Sequence, residues 1–303
     1  MAAIRSSTIG LVLMAAAAVG FGLNPLFARL AYAGGIGPDA AALYRFAGPA
    51  IVLLPFCLAG RRHPRAALTA LGLGALMGLG VAAYFRALAV LPVALPALVY
   101  FTYPAMTLLL GWALFGERIR LRAAAACGCV LLACALILAP GRLAPGQLGA
   151  LLLCLAAPFA YALLLHGLVR WLTPLTVGAR AGLAAAGAAL ALVPALLLGQ
   201  GTPGLVPAAA IGWVGVVGLM SLCSLLPQVM TTLAAPMLGA GAASLAGTME
   251  LATTLLVGWL ALAEPVTAPA AAGVALVLLA QWLAHPRSGE RPPVAVARRP
   301  ARD

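Results

Sequence analysis

Ten stretches of mostly apolar residues, each roughly 20 long, run through this chain at about 8–30, 39–59, 67–89, 93–115, 121–140, 147–169, 175–198, 207–233, 240–262 and 267–284. About 20 such residues in a helix cross the roughly 30 Å of hydrocarbon in a bilayer. Lipid offers an open backbone no hydrogen-bond partner, so segments of this kind must be helical. The chain is 64% hydrophobic and only 8% charged, whereas soluble domains carry roughly a quarter of charged residues. The expected fold is an all-α membrane protein of ten transmembrane helices, with no soluble domain. The start, MAAIRSSTIGLVLMAAAAVGFG, imitates a signal peptide. Its apolar run continues through Asn24-Pro25 to about Ala33, so it reads as a retained first helix. The tail over 286–303, PRSGERPPVAVARRPARD, is rich in proline and arginine and is expected to be disordered.

The 18 basic residues are all arginine against six acids, a net charge of +12 that could suit a nucleic-acid binder. Their placement argues otherwise. Arg5, then Arg61, Arg62 and Arg65, then Arg118, Arg120 and Arg122, then Arg170 and the tail arginines fall on one side of the predicted spans. The other side has only Arg29, at a helix end, and Arg142. Basic loops stay cytoplasmic, so both termini are expected there, with the lipid bilayer and not nucleic acid as partner. The cysteines Cys57, Cys127, Cys129, Cys134, Cys154 and Cys223 lie in apolar spans without a CxxC pair and read as small buried hydrophobes. His63, His166 and His285 are too scattered for a metal site, and no nucleophile triad, HExxH, Walker A or dinucleotide fingerprint occurs. Neither a cofactor nor an enzymatic activity is expected.

The phrase TLLLGWALFGE at 107–117 returns as TLLVGWLALAE at 254–264, six of eleven positions matching at an offset of 147. Pro38 and Arg45 in helix 2 have counterparts in Pro174 and Arg180 in helix 7, with spacing differing by one. GLVLMAAAAVGFG aligns loosely with GALLLCLAAPFAY. A duplication of five helices must enter the membrane upside down in its second half. Two inverted five-helix repeats are therefore expected, over residues 1–140 and 141–285, followed by the tail. Inverted repeats let a transporter exchange the open side by exchanging the conformations of its halves.

FGLNPLFAR at 21–29, Arg45-Phe46 in helix 2, AL followed by proline at 87–92, the endings at Glu117 and Glu264, and the acid at 249–251 occur in an order that resembles the EamA family of the drug/metabolite transporter superfamily. The resemblance covers residues 8 to about 285. Phe21, Arg29 and Leu251 depart from the tryptophan, lysine and proline usual in that family. The resemblance implies ten helices in two repeats and transport of small metabolites, often export of amino acids or related compounds, through a cavity between the halves. A bacterial inner-membrane exporter is the expectation. A membrane enzyme acting on lipid-linked groups would need clustered acids or histidines, and a non-transporting scaffold would not explain an inverted repeat with polar residues at mid-membrane.

An ionised group in a membrane helix costs about 2.5–3.5 kcal/mol on insertion scales, so each should face protein or water. Glu250, about ten residues into helix 9, is flanked at helical spacing by Ala246, Gly247, Thr253, Thr254 and Val257. It reads as a counter-charge for a substrate amine, as a proton site, or as an acid paired structurally with an arginine. Its counterpart at the 147 offset is Tyr103, which shares a face with Tyr100 and Thr107 near Pro96 and Pro104. Arg45 and Arg86 are expected near the outer ends of helices 2 and 3, where snorkelling competes with recognition of a substrate carboxylate. Arg180 is expected near the inner end of helix 7. Asn24, Gln228 and His166 are further pathway candidates, His166 as a proton relay. Gly74/Gly78 and Gly178/Gly182 have small-residue spacing suited to helix contacts. Glu117 and Glu264 oppose the helix macrodipole and need partners. For Glu117 the following Arg118, Arg120 and Arg122 offer one.

Overall fold

The computed structural model describes residues 2–91, 96, 99–138, 145–198, 204–263 and 267–284. Glu264, Arg142, Pro92, His285, the tail over 286–303, and the side chains of Arg5 and Cys134 lie outside the described residues. The described residues form helices and no strand: α1 (Ala2–Gly22), α2 (Asn24–Ala33), α3 (Pro38–Val52), α4 (Leu54–Cys57), α5 (Pro64–Val90), α6 (Tyr103–Phe115), α7 (Leu121–Leu138), α8 (Pro145–Cys154), α9 (Ala156–Arg170), α10 (Val177–Leu198), α11 (Ala210–Met220), α12 (Leu226–Leu238), α13 (Ala240–Gly247), α14 (Met249–Ala261) and α15 (Ala268–Ala284). Among the described residues six helical spans are long and apolar enough to cross a membrane: Thr8–Ala33, Pro64–Ala89, Gly149–Arg170, Val177–Pro194, Ala210–Leu238 and Ala240–Ala261. A seventh crossing follows if Pro38–Val52 and Leu54–Arg62, which meet at 69°, count as one span. Tyr103–Phe115, Leu121–Ala133 and Ala271–Ala280 are shorter apolar helices.

Several expected spans are broken. Helix 2 bends at Leu53, where Pro49 and Pro55 remove backbone donors on either side. Single-residue breaks fall at Leu23, two residues before Pro25, and at Leu155, three before Pro158. A π turn over Ser221–Leu225 joins α11 to α12 just before Pro227. In each case the proline ring forces the local ladder to rearrange.

Glycines and alanines set the packing of the bundle. Gly74 and Gly78 of α5 face Ala184 and Ala188 of α10, and a Cβ on Gly78 would sit 2.6 Å from the Ala188 carbonyl oxygen. Gly178 and Gly182 bring α10 against Phe56 and Cys57 at the bend. Both glycine pairs are thus helix contacts, as their spacing predicts: without a hydrophobic force between helices in lipid, close van der Waals approach carries the association. Beyond α5, α10 also packs on α3, while α1 packs on α12 and α14. Helix α9 packs on α5 and α6, α11 on α2 and α3, and α7 on α15. Leu114, Trp112, Leu260 and Trp282 are exposed on the bundle's outer surface, as lipid-facing positions should be.

Candidate functional site

The break between α13 and α14 explains how a carboxylate can sit inside this bundle. Thr248 interrupts the helix, so Glu250 falls in the first turn of α14, where the positive end of the macrodipole favours negative charge. Residues 101 and 102 likewise form a turn before α6, whose first two residues are Tyr103 and Pro104. Subtracting 147 from Thr248 gives residue 101, so the two interruptions coincide in the repeated sequence.

Glu250 is buried, and no hydrogen bond or ion pair holds its carboxylate among the described residues. It acts electrostatically on Arg45, Tyr84, Tyr100, Tyr103 and Tyr161, which come from four other segments. The tyrosines form one aromatic cluster. Tyr100 stacks on Tyr84 at 5.9 Å, on Tyr103 at 5.4 Å and on Tyr161 at 6.0 Å, and Tyr103 meets Tyr161 edge-on at 5.0 Å. Phe21 continues it from Tyr161 at 6.4 Å. The Tyr103 hydroxyl, fully buried, packs where a Cβ on Gly247 would be 2.6 Å away, which ties α6 to the residue before the α13–α14 break. Gly22, before the α1–α2 break, lies against Thr253 and the Glu250 carbonyl.

Arg45 overturns the expectation of a snorkelling side chain at a helix end. It sits in the middle of α3, is 6% exposed, and places its guanidinium 5.7, 5.5 and 6.0 Å from the ring centroids of Phe21, Phe46 and Phe85. Aromatic faces attract a desolvated cation but do not accept its N–H bonds fully. Accordingly the Arg45 Nε has no hydrogen-bond partner among the described residues, nor do the Tyr103 hydroxyl and the Asn24 Oδ1. The Asn24 amide nitrogen donates to the Phe21 carbonyl at 2.7 Å, so one end of that amide is used locally.

A cavity starts among Phe21, Arg45, Phe46 and Tyr161 and extends toward Leu168 and Arg180, at the end of α9 and the start of α10. Ser224, Gln228, Thr231 and Thr232 line one wall. The Gln228 amide donates to the Ala181 carbonyl at 2.9 Å. Arg180 donates from Nε to Leu175 and from a terminal nitrogen to Thr173, each at 2.8 Å. Half-buried, it ties the 171–176 turn to α10 and does not simply reach for headgroups.

Three candidates lie elsewhere. Arg86 pairs with Asp39 through two hydrogen bonds, at 2.7 and 3.1 Å, on the exposed side of the α3–α5 contact. Thr107 donates back to the Tyr103 carbonyl at 2.8 Å, while its own carbonyl accepts from His166 Nε2 at 2.9 Å. That bond puts the proton on Nε2 and leaves a buried Nδ1 without a partner among the described residues. His166 stacks on Phe115 at 5.0 Å, beside the ion pair of Glu117 with Arg170. Glu117 therefore pairs across to α9 and not, as expected, with the arginines that follow it. Tyr84 and Tyr161 were not legible as site residues. Their only signal was a hydroxyl-bearing ring inside an apolar run, which is also how membrane-interface anchors read.

An all-helical bundle with several apolar crossings and a polar interior defines a multi-pass membrane protein. Residues 8–139 match the model of the EamA-like transporter family, the domain of the drug/metabolite transporter superfamily. A solved structure described only as "Crystal structure of protein" is similar to this chain in fold, with a TM-score of 0.70 and 20% identity over 92% of this chain and 96% of that one. No curated protein matches the chain.

Proposed function

We propose that this protein is a secondary transporter of small organic solutes, working by alternating access between two inverted five-helix repeats, residues 1–140 and 141–285. In this reading it is a bacterial inner-membrane exporter of amino acids or related compounds, with both termini in the cytoplasm. The observation that carries the reading is a group of buried polar atoms, Arg45 Nε, Asn24 Oδ1 and the Tyr103 hydroxyl, that have no partner among the described residues, around a Glu250 that none of those residues pairs. Buried polar groups in a folded protein are ordinarily satisfied, so a cluster of exceptions fits a solute or water path.

The packing supports the repeat. The contact of α1 with α12 has its counterpart in α9 with α5, that of α1 with α14 in α9 with α6, and that of α10 with α5 in α11 with α3. The pairs α3 with α10 and α7 with α15 join corresponding segments. Such a map is what a pseudo-two-fold axis between halves would generate, and the matched interruptions before Tyr103 and Glu250 agree with it.

Flux assays in proteoliposomes with a panel of amino acids, amines and organic acids test the reading. Solute movement is expected for at least one class. Glu250→Gln should lower it about tenfold or more and flatten its pH dependence, with Glu250→Asp intermediate. Movement and pH dependence unchanged in Glu250→Gln would remove the carboxyl from the pathway.

A further inference from the structure

Arg45 and Arg180 both line the cavity, and among the described residues no carboxylate does. Each of the three acids among the described residues is accounted for. Asp39 is bound to Arg86 and Glu117 to Arg170, while Glu250 influences Arg45 without forming an ion pair and lies outside the cavity wall. The cavity is therefore a positive chamber in a low-dielectric bundle. Its deepest cation is more than nine-tenths buried and held only by rings, with Nε lacking a partner among the described residues. A guanidinium is shaped to take a carboxylate through two parallel hydrogen bonds, which aromatic faces cannot supply. The remaining lining divides by chemistry. Phe21, Phe46, Met77 and Tyr161 form an apolar wall around Arg45, facing the hydroxyls and amide of α12.

We propose that the cavity binds a small organic carboxylate with a flat apolar body. Its carboxylate sits on Arg45, its body lies among Phe21, Phe46 and Tyr161, and Arg180 draws the anion in from the α9–α10 end. This inference rests on the transport reading and narrows its substrate class. An amine of the same shape would meet two guanidinium groups, and a neutral amide would leave the Arg45 fork half used.

Thermal-shift titration of the full-length protein in detergent with phenylacetate, phenylacetamide and phenethylamine tests it, because a ligand that binds the native state raises its apparent stability. Phenylacetate should bind about tenfold or more tightly than either analogue. Arg45→Gln should erase that preference, weakening phenylacetate about tenfold more than phenylacetamide. Arg45→Lys should retain part of it, since charge persists without the fork. Arg180→Gln should weaken phenylacetate by about threefold, less than Arg45→Gln, as a steering charge at a distance does. The comparison of the three ligands on the unaltered protein needs no variant to fold. Amine or amide binding as tight as the carboxylate would overturn the proposal, and so would a phenylacetate preference that survives in Arg45→Gln. Binding or flux of amines alone would leave transport standing and sink the anion inference. Absence of binding by all three probes, together with absence of flux in the solute panel, would sink both.

Discussion

At the scale of single residues, the interior is defined by where side chains are absent as much as by the polar ones. Gly22 lets the α1–α2 break close on the α13–α14 break: a Cβ there would stand 2.5 Å from the Thr253 Cβ and 3.0 Å from the Glu250 carbonyl oxygen. Gly22→Ala must push α1 away from α14, an overpacking that should cost about 1–3 kcal/mol. Gly128, on the exposed side of α7, has open space where a Cβ would go. Gly128→Ala should leave thermal stability in detergent unchanged or slightly raised, since helix propensity improves. A melting temperature that falls equally in both variants would count against close approach at Gly22. The sequence made Glu250 and Tyr103 conspicuous, the first as an acid in an apolar run and the second through the 147 offset. It left Arg45 open between snorkelling and carboxylate recognition, because burial is set by what packs around a helix and not by distance from its end. Helix 2 bends by 69° at Leu53, and the three phenylalanines that receive the guanidinium come from three different segments. No local pattern announces such a meeting.

At the scale of elements, hydropathy locates the crossings but not their interruptions, because one turn residue barely changes an apolar average. Leu23, Leu155 and Thr248 are single-residue breaks inside runs that read as continuous. The end of α6 was more legible. Gly116, at φ +63°, takes the left-handed conformation that glycine adopts without strain. Its N–H donates to the Trp112 carbonyl, and the Glu117 N–H donates to Gly111. This cap aims the Glu117 side chain back over Gly111 and toward Arg170, whose guanidinium also lies 4.1 Å from the Phe115 ring centroid. A carboxylate opposed to the macrodipole is thus compensated from the neighbouring helix. A double-mutant cycle with Glu117→Gln and Arg170→Gln should give a coupling of about 0.2–1 kcal/mol, as partly exposed pairs do. In a Gly111→Val background the coupling should shrink toward zero. Any side chain at 111 meets the Glu117 carboxylate, which a Cβ alone would approach to 2.6 Å. A coupling that is absent in the parent protein would show that α6 and α9 are held by packing and by the His166–Thr107 bond alone.

At the scale of the whole molecule, the two ends of the bundle differ. The cavity runs toward the α9–α10 connection. At the other end of α10, the segment after residue 203 is clamped onto the connection between α2 and α3. Gly37 donates to the Gly204 carbonyl at 3.3 Å, Ala208 donates to Gly34 at 2.9 Å, and the Tyr44 hydroxyl donates to Leu205 at 2.7 Å. Gly35 at φ +89° and Gly204 at φ +85° let the two backbones approach where a side chain on either would be strained. In the proposed alternating-access cycle this contact parts when the cavity closes, so bonds made only in the clamped state would set the balance between states. Tyr44→Phe removes one such bond without touching the cavity. At about 1 kcal/mol per hydrogen bond, the parted state should gain about fivefold in population. Ile36, 3% exposed beneath the clamp, reports that change. In a background freed of native cysteines, Ile36→Cys should react with a membrane-impermeant maleimide about fivefold faster when Tyr44 is phenylalanine. An unchanged rate would mean that the loops separate without breaking the Tyr44–Leu205 bond, and the moving boundary between the halves would then lie inside this contact, along the packing of α2 on α11.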